Sequence, residues 1–234
     1  MNIALIVAAG TGSRMQGIEV PKQFLIVEDK PLFVYSAETF QNHQDIDAIV
    51  IVTLGEYIEQ VKKWCNDYNL TKVKAVISGG QTRRASVYYG IKEIKKIAVK
   101  SPDTIVLIHD AARPLVTSQI ITNNIVLCKQ YRAVITAIPA SDTIFKSKDG
   151  DIISGSLNRS ELYQAQTPQT FDLYTIDEAH FMAMTDGVPD DITDDARLVM
   201  YFGMNVYFTN GSKYNFKITT NEDLEIFKTI IKNK

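Results

Sequence analysis

The segments of this chain best equipped for chemistry are built to hold phosphate. Ala8-Ala9-Gly10-Thr11-Gly12-Ser13-Arg14-Met15 follows an apolar run and spaces two glycines one residue apart. Such a spacing lets the backbone turn sharply and point amides at an anion. Arg14 brings positive charge, and Lys22 adds a second charge within Pro21-Lys22-Gln23, where the preceding proline restricts the backbone. Met15 stands where a dinucleotide fingerprint needs its third glycine, and the second apolar run reaches no carboxylate before Glu56. No Gly-Lys-Ser/Thr follows the glycines, which excludes a P-loop. A loop for a nucleotide triphosphate is the reading that survives.

Other segments carry compatible groups. His109-Asp110-Ala111-Ala112-Arg113-Pro114 directly follows a strand-like run, so Asp110 is expected in the crevice outside the strand ends, on a magnesium ion or a ribose hydroxyl. A plain Asp–Arg pair closing the loop is the alternative. Gly79-Gly80-Gln81-Thr82-Arg83-Arg84-Ala85-Ser86 puts free amides, Ser86 and a basic pair at a helix start, which suits an anion and equally an ordinary turn. Lys217 lies in a strand-like run and faces either a site or water. Thr193-Asp194-Asp195-Ala196 reads first as an acidic helix cap. The metal-binding look of Asp149-Gly150-Asp151 is explained by turn geometry. There is no GxSxG, no HExxH, and the histidines are scattered.

These groups need elements to place them. Continuous apolar runs at Asn2–Ala8, Ala48–Thr53, Val73–Ile77, Thr104–His109 and Ala133–Ile138 predict strands buried on both faces. Helical patterns at Pro31–Asn42, Glu56–Tyr68, Arg83–Ile97 and Ser118–Gln130 alternate with them, which predicts a mostly parallel α/β sheet. After Pro139 the rhythm breaks. Asp142–Lys148 and Asp151–Leu157, joined by Asp149-Gly150, read as a hairpin arm whose purpose is contact with another surface. Helices at Leu173–Met184, Asp194–Phe202 and Glu222–Ile231 and strands at Val206–Thr209 and Tyr214–Ile218 complete the chain, the last helix opening on a Thr220/Asp223 capping box. With no repeat and no linker, residues 1–234 are expected to form a single domain, with the arm at about 140–160.

Composition limits the classes further. The 234 residues are 45% hydrophobic and 22% charged with a net charge of −2, which argues against disorder and against broad binding to nucleic acid or anionic lipid. The first apolar run is too short to span a membrane and lacks a basic residue before it. Cys65 and Cys128 lie far apart and read as reduced thiols, so a cytoplasmic protein is expected.

Taken in order, the segments at 8–15, 21–23, 79–86, 109–114, Asp142-Thr143, Arg159, 166–169, 193–196 and 217–220 resemble the sugar-alcohol-phosphate cytidylyltransferases. The match is best with the 2-C-methyl-D-erythritol 4-phosphate enzymes, with the ribitol 5-phosphate enzymes close behind, and runs from Asn2 to about Phe227. The resemblance implies a Rossmann-like, GT-A-like nucleotidyltransferase fold, a mostly parallel sheet with helices on both faces and a projecting β-arm. It implies CTP bound by Ala8, Ala9, Gly10, Thr11, Gly12, Gly80, Gln81, Ser86, Asp110 and Ala111, with Mg²⁺ on Asp110. Arg14 and Lys22 would stabilise the transition state, Arg159 and Lys217 would position the acceptor phosphate, and Thr143, Thr167 and Thr193 would bind the acceptor. It also implies a homodimer in which Thr143 and Arg159 serve the neighbouring subunit.

Gln81 replaces a frequent acidic residue of that family, Met200 a frequent glutamate, and Leu157-Asn158 the commoner pair before Arg159. Ala9 and Ala112 side with the methylerythritol branch, Tyr163-Gln164 with the ribitol branch. A metal-dependent glycosyltransferase and a non-catalytic nucleotide-binding protein are the readings outside this chemistry. Arg14, Lys22 and Lys217 together speak against the latter, because simple binding does not need all three.

Overall fold

The computed structural model describes residues 1–10, 20–98, 103–189 and 192–233. In chain order the strands are β1 (Asn2–Ala8), β2 (Ile26–Val27), β3 (Lys30–Pro31), β4 (Ala48–Thr53), β5 (Val73–Ser78), β6 (Ile105–Asp110), β7 (Ala133–Pro139), β8 (Phe145–Ser147), β9 (Ile153–Ser156), β10 (Tyr163–Asp172) and β11 (Tyr207–Asn210). The helices are α1 (Leu32–Asn42), α2 (Ile58–Asp67), α3 (Arg83–Ile97), α4 (Ser118–Tyr131), α5 (Leu173–Thr185), α6 (Asp195–Tyr201) and α7 (Asn221–Lys232).

Seven strands form one sheet in the order β11-β7-β10-β6-β1-β4-β5, parallel except for β10. Alternate residues of each strand face opposite layers. On β1, Ala4 and Ile6 join α1, α2 and α4 in one core, while Ile3 and Leu5 join α3, α5 and α6 in the other. This two-sided burial is why β1, β4, β6 and β7 read as near-continuous apolar runs; β5 lies at the edge of the sheet with no fully buried residue, against the expectation that it is covered on both faces. A smaller core of Val27, Leu32, Leu115, Ile218, Leu224 and Phe227 seats α7. Side chains close the helix starts: Thr82 accepts from the Ala85 amide, Thr117 from Ile120, Asp194 from Ala196 and Arg197, and Thr220 forms the expected capping box with Asp223. Gly90 lets α3 approach β1, since a Cβ there would collide with Leu5.

The predicted parallel strands, the helices on both faces and the hairpin are all present, the hairpin as β8 and β9 paired to each other apart from the main sheet. Two further expectations need correction. β10, with Pro168 and three glutamines among its ten residues, is absent from the expected strands. It lies between β6 and β7, Thr167-Pro168 is a cis peptide, and the register with β7 shifts between Ala165 and Gln169. A register break is where a sheet tolerates proline. Conversely, Tyr214–Ile218 forms no strand. That stretch is held by side-chain bonds and by the Ile218 amide donating to Ala112 O at 2.9 Å.

Candidate active site

β1, β4, β5 and β6 run parallel, so their carboxyl ends share one edge of the sheet. The chain fills the β4–β5 side of β1 first and then crosses to β6 on the other side, a switch of direction that opens a crevice. A cleft of about 340 Å³ lies there, lined by residues that follow β1, β5 and β6 and by Lys22 and Lys217.

The floor is a set of tight backbone contacts. Gln23 donates to Ala8 O at 2.7 Å and to Gly10 O at 2.8 Å, fixing the chain as it leaves β1. Gly79 packs so closely on that segment that a Cβ would lie 2.5 Å from Ala9 Cβ and 2.7 Å from Ser86 Oγ. Ser86 Oγ accepts from the Gly80 amide at 3.1 Å and donates to Thr82 O at 2.9 Å, so the hydroxyl serves the turn itself.

The charged centre is Asp110. Arg83 Nε lies 3.3 Å from Oδ1 and Lys217 Nζ 2.6 Å from Oδ2. Burial by itself would raise the carboxyl pKa. The charges of Arg83 and Lys217 outweigh it and hold Asp110 well below the usual carboxylate range, so it is ionised throughout neutral pH. Arg83 is shared, its Nη1 bonding Asp195 at 2.6 Å, and Asp195 also meets His180 Nε2 at 3.2 Å. Lys22 Nζ donates to Ile218 O at 2.8 Å, which brings the 21–24 turn against the segment that carries Lys217.

Behind Asp110 runs a buried relay. The Asp110 amide donates to Thr167 Oγ1 at 3.1 Å, Thr167 Oγ1 meets His109 Nδ1 at 3.0 Å, and His109 Nε2 meets Arg113 O at 3.0 Å. Burial pushes the His109 pKa down to about 4, so the ring is neutral. Arg113 O can only accept, so Nε2 carries the single ring proton and donates to it, which leaves Nδ1 to accept the Thr167 hydroxyl proton.

The cleft therefore unites Ala8, Ala9, Gly10, Lys22, Gly80, Gln81, Ser86, Asp110, Ala111 and Lys217 of the sequence-predicted residues. Arg14, Thr11 and Gly12 lie outside the described residues. Thr167 stands behind Asp110 and does not line the cleft, while Thr143, Arg159 and Thr193 are exposed and do not line it either. Arg159 donates from Nη1 to Ser141 O at 3.0 Å, beside the arm. Sequence reasoning missed the pairing role of Arg83 and Asp195. The Thr193–Ala196 segment does cap α6 through Asp194, but its second carboxylate turns inward. Among the described residues no group of three or more His, Cys, Asp or Glu side chains could hold a metal.

A cation-lined cleft at the switch point of a mostly parallel α/β sheet is where such folds hold anionic ligands, and the family match makes this chain an enzyme of the nucleotidyltransferase class. The family model for 2-C-methyl-D-erythritol 4-phosphate cytidylyltransferase, IspD, matches residues 2–233, and the chain belongs to this family. It is 40% identical over 231 residues to the 2-C-methyl-D-erythritol 4-phosphate cytidylyltransferase of Clostridium botulinum (strain Okra / Type B1), covering 98% of this chain and 97% of that one. It is 35% identical over 230 residues to the ribitol-5-phosphate cytidylyltransferase of Streptococcus agalactiae serotype III (strain NEM316), covering 98% and 95%. The crystal structure of the Francisella tularensis 2-C-methyl-D-erythritol 4-phosphate cytidylyltransferase superposes with a TM-score of 0.80 at 29% identity, covering 97% of this chain and 98% of that one.

Proposed function

We propose that this enzyme transfers CMP from CTP to 2-C-methyl-D-erythritol 4-phosphate and releases pyrophosphate. The reading rests on one observation above others: Lys22, Arg83 and Lys217 line the same cleft as one ionised carboxylate, Asp110. A phosphate monoester is largely dianionic near neutrality, so attack on the α-phosphorus needs no protein base and no covalent intermediate. What it needs is two anions held in line and charge neutralised as it develops. Lys22 and Arg14 take the transition-state charge in this reading, Lys217 the acceptor phosphate, and the 8–10 and 79–86 segments the nucleotide.

The donor chemistry fits magnesium: the ion commonly takes one or two carboxylates and completes its shell with substrate phosphates and water, and the ionised Asp110 would serve in exchange for part of its pairing with Arg83 and Lys217. When bound there it would neutralise phosphate charge, and Asp110 would be its protein ligand.

Methylerythritol is preferred as acceptor because the branch-marking residues that line the cleft, Ala9 and Ala112, side with it. Tyr163, which sides with ribitol, is exposed and stacks on Phe208 at 4.5 Å, outside the cleft. Ribitol 5-phosphate is the second reading, favoured by the 35% identity to the streptococcal enzyme across 98% of the chain.

The arm supports a homodimer in the same proposal. Phe145, Ile152 and Ile153 are exposed on it, and Arg159 and Thr143 sit beside it, away from the cleft of their own chain, as residues serving a neighbour would. Residues 1–234 then act as one catalytic unit. The two free, buried cysteines suit a cytoplasmic setting, and among the described residues no helix is long and apolar enough to cross a membrane.

Pyrophosphate release with CTP and magnesium, comparing the two polyol phosphates at matched concentration, tests the acceptor. Preference for ribitol 5-phosphate overturns the methylerythritol assignment, and release with neither overturns both. Lys22→Ala and Arg14→Ala should each lower turnover roughly 10²–10³-fold. A loss under about threefold in both, with folding intact, sinks the catalytic reading.

A further inference from the structure

The segment that carries Lys217 has no regular secondary structure, yet it holds the ammonium 2.6 Å from Asp110. Its position comes from outside the cleft. Asn215, two residues before the lysine, is fully buried, and its Nδ2 donates to Thr167 O at 2.9 Å and to Gln166 Oε1 at 3.3 Å. Gln166 closes the other half, donating from Nε2 to Ser212 O at 2.8 Å and accepting from the Ser212 amide at 3.3 Å. The fit is tight: a Cβ on Gly211 would collide with Gln166 Oε1 and lie 3.1 Å from Ala137 O. Thr167 is the shared anchor. Its hydroxyl accepts from the Asp110 amide while its carbonyl receives Asn215, so one residue of β10 fixes both the carboxylate and the loop that brings the lysine to it.

We propose that Asn215 and Gln166 form a positioning clasp for Lys217, setting where its ammonium meets the acceptor phosphate. This rests on the role given to Lys217 above. Neither residue lines the cleft, so in this proposal both act at a distance through the loop that carries Lys217. Misplacing a charge that orients a reactant by about 1 Å costs on the order of 10²-fold in rate, whereas the nucleotide segments at 8–10 and 79–86 are fixed by bonds the clasp does not touch.

The test is a double-mutant cycle on the full-length enzyme, with Asn215→Ala, Lys217→Ala and the pair, read as kcat and as KM for each substrate. Asn215→Ala should lower kcat/KM for the polyol phosphate by about 10- to 100-fold and leave KM for CTP within about twofold. In the Lys217→Ala background the same substitution should change kcat/KM by less than about twofold. An undiminished effect in that background, or a matching rise in KM for CTP, overturns the clasp. A Lys217→Ala enzyme with unaltered acceptor kinetics overturns the role of the lysine instead. Gln166→Leu breaks the clasp from the β10 side, and if Asn215→Ala fails to fold it must give the same acceptor-specific loss for the proposal to stand.

Discussion

Thr167→Val is the sharpest test of how the cleft is built. The side chain is 3% exposed and keeps its shape in the variant, so the change is confined to the hydroxyl. That hydroxyl accepts from the Asp110 amide at 3.1 Å and donates to His109 Nδ1 at 3.0 Å. Valine leaves both groups buried without a partner, at about 1–3 kcal/mol each, so the loss should total about 2–6 kcal/mol. For a chain of this length even the lower end lowers Tm by about 4–8 °C. Urea unfolding followed by fluorescence suits the measurement, because Trp64 is the only tryptophan and packs on Phe24 and Phe33. Thr167→Ser keeps the hydroxyl and should recover most of the stability. If Thr167 instead contacts the acceptor, as the family resemblance implies, valine raises KM for the polyol phosphate with little change in stability. A stability loss below about 0.5 kcal/mol would refute the relay.

Three further outcomes follow from the same geometry. Burial pushes the His109 pKa down to about 4 from its ordinary 6.5, so the folded state favours the neutral ring; its contribution is complete above pH 6.5 and drains away as pH falls toward 4, by about 3 kcal/mol in all, and His109→Gln should flatten the pH dependence of the urea midpoint in that window, an unchanged curve counting against this. Gly79→Ala places a methyl 2.5 Å from Ala9 Cβ, so the variant should lose about 1–3 kcal/mol and show a raised KM for CTP, and normal values for both would show that the turn has slack. If Arg159 serves the neighbouring cleft, mixing and reassembling inactive Lys22→Ala and Arg159→Ala proteins should restore about a quarter of the sites, because random pairing leaves one intact cleft in each mixed dimer; no recovery despite confirmed mixing would confine both residues to one chain.

The parallel strands and the capped helices were legible because each writes its signal locally. A strand buried on both faces must be apolar throughout, and a capping box sits within four residues of chain. β10 hid because its polar side chains are buried and satisfied by partners distant in sequence: Thr167 by His109, Gln169 by Asp194, Thr170 by Asn124. No window around 163–172 contains those partners. The same reason concealed Asp195. From sequence it is the second acid of a helix cap; only the fold brings it within 2.6 Å of Arg83, 112 residues away. Lys217 was expected on a strand, but its segment is a loop pinned by Asn215. Alternation of residue types could not distinguish the two.

The cations around Asp110 differ in how firmly they are committed. Arg83 is gripped by two carboxylates, and although burial works against its charge, Asp195 and Asp110 outweigh that effect and raise its pKa. Releasing it toward a phosphate would leave Asp195 with His180 as its one ion-pair partner among the described residues, a costly outcome for a buried carboxylate. Among the described residues Lys217 has its ion pair with Asp110 alone, and it keeps about a third of its side chain exposed. An arriving phosphate can therefore draw Lys217 away from Asp110 while Arg83 stays and keeps the carboxylate ionised. Under the proposed function this division gives Arg83 the part of holding Asp110 ionised and Lys217 the part of meeting the phosphate. The lysine's loop is held by side-chain bonds at both 212 and 215 rather than by strand pairing. A strand would fix the backbone but offer no anchor shared with Asp110, whereas Thr167 supplies one.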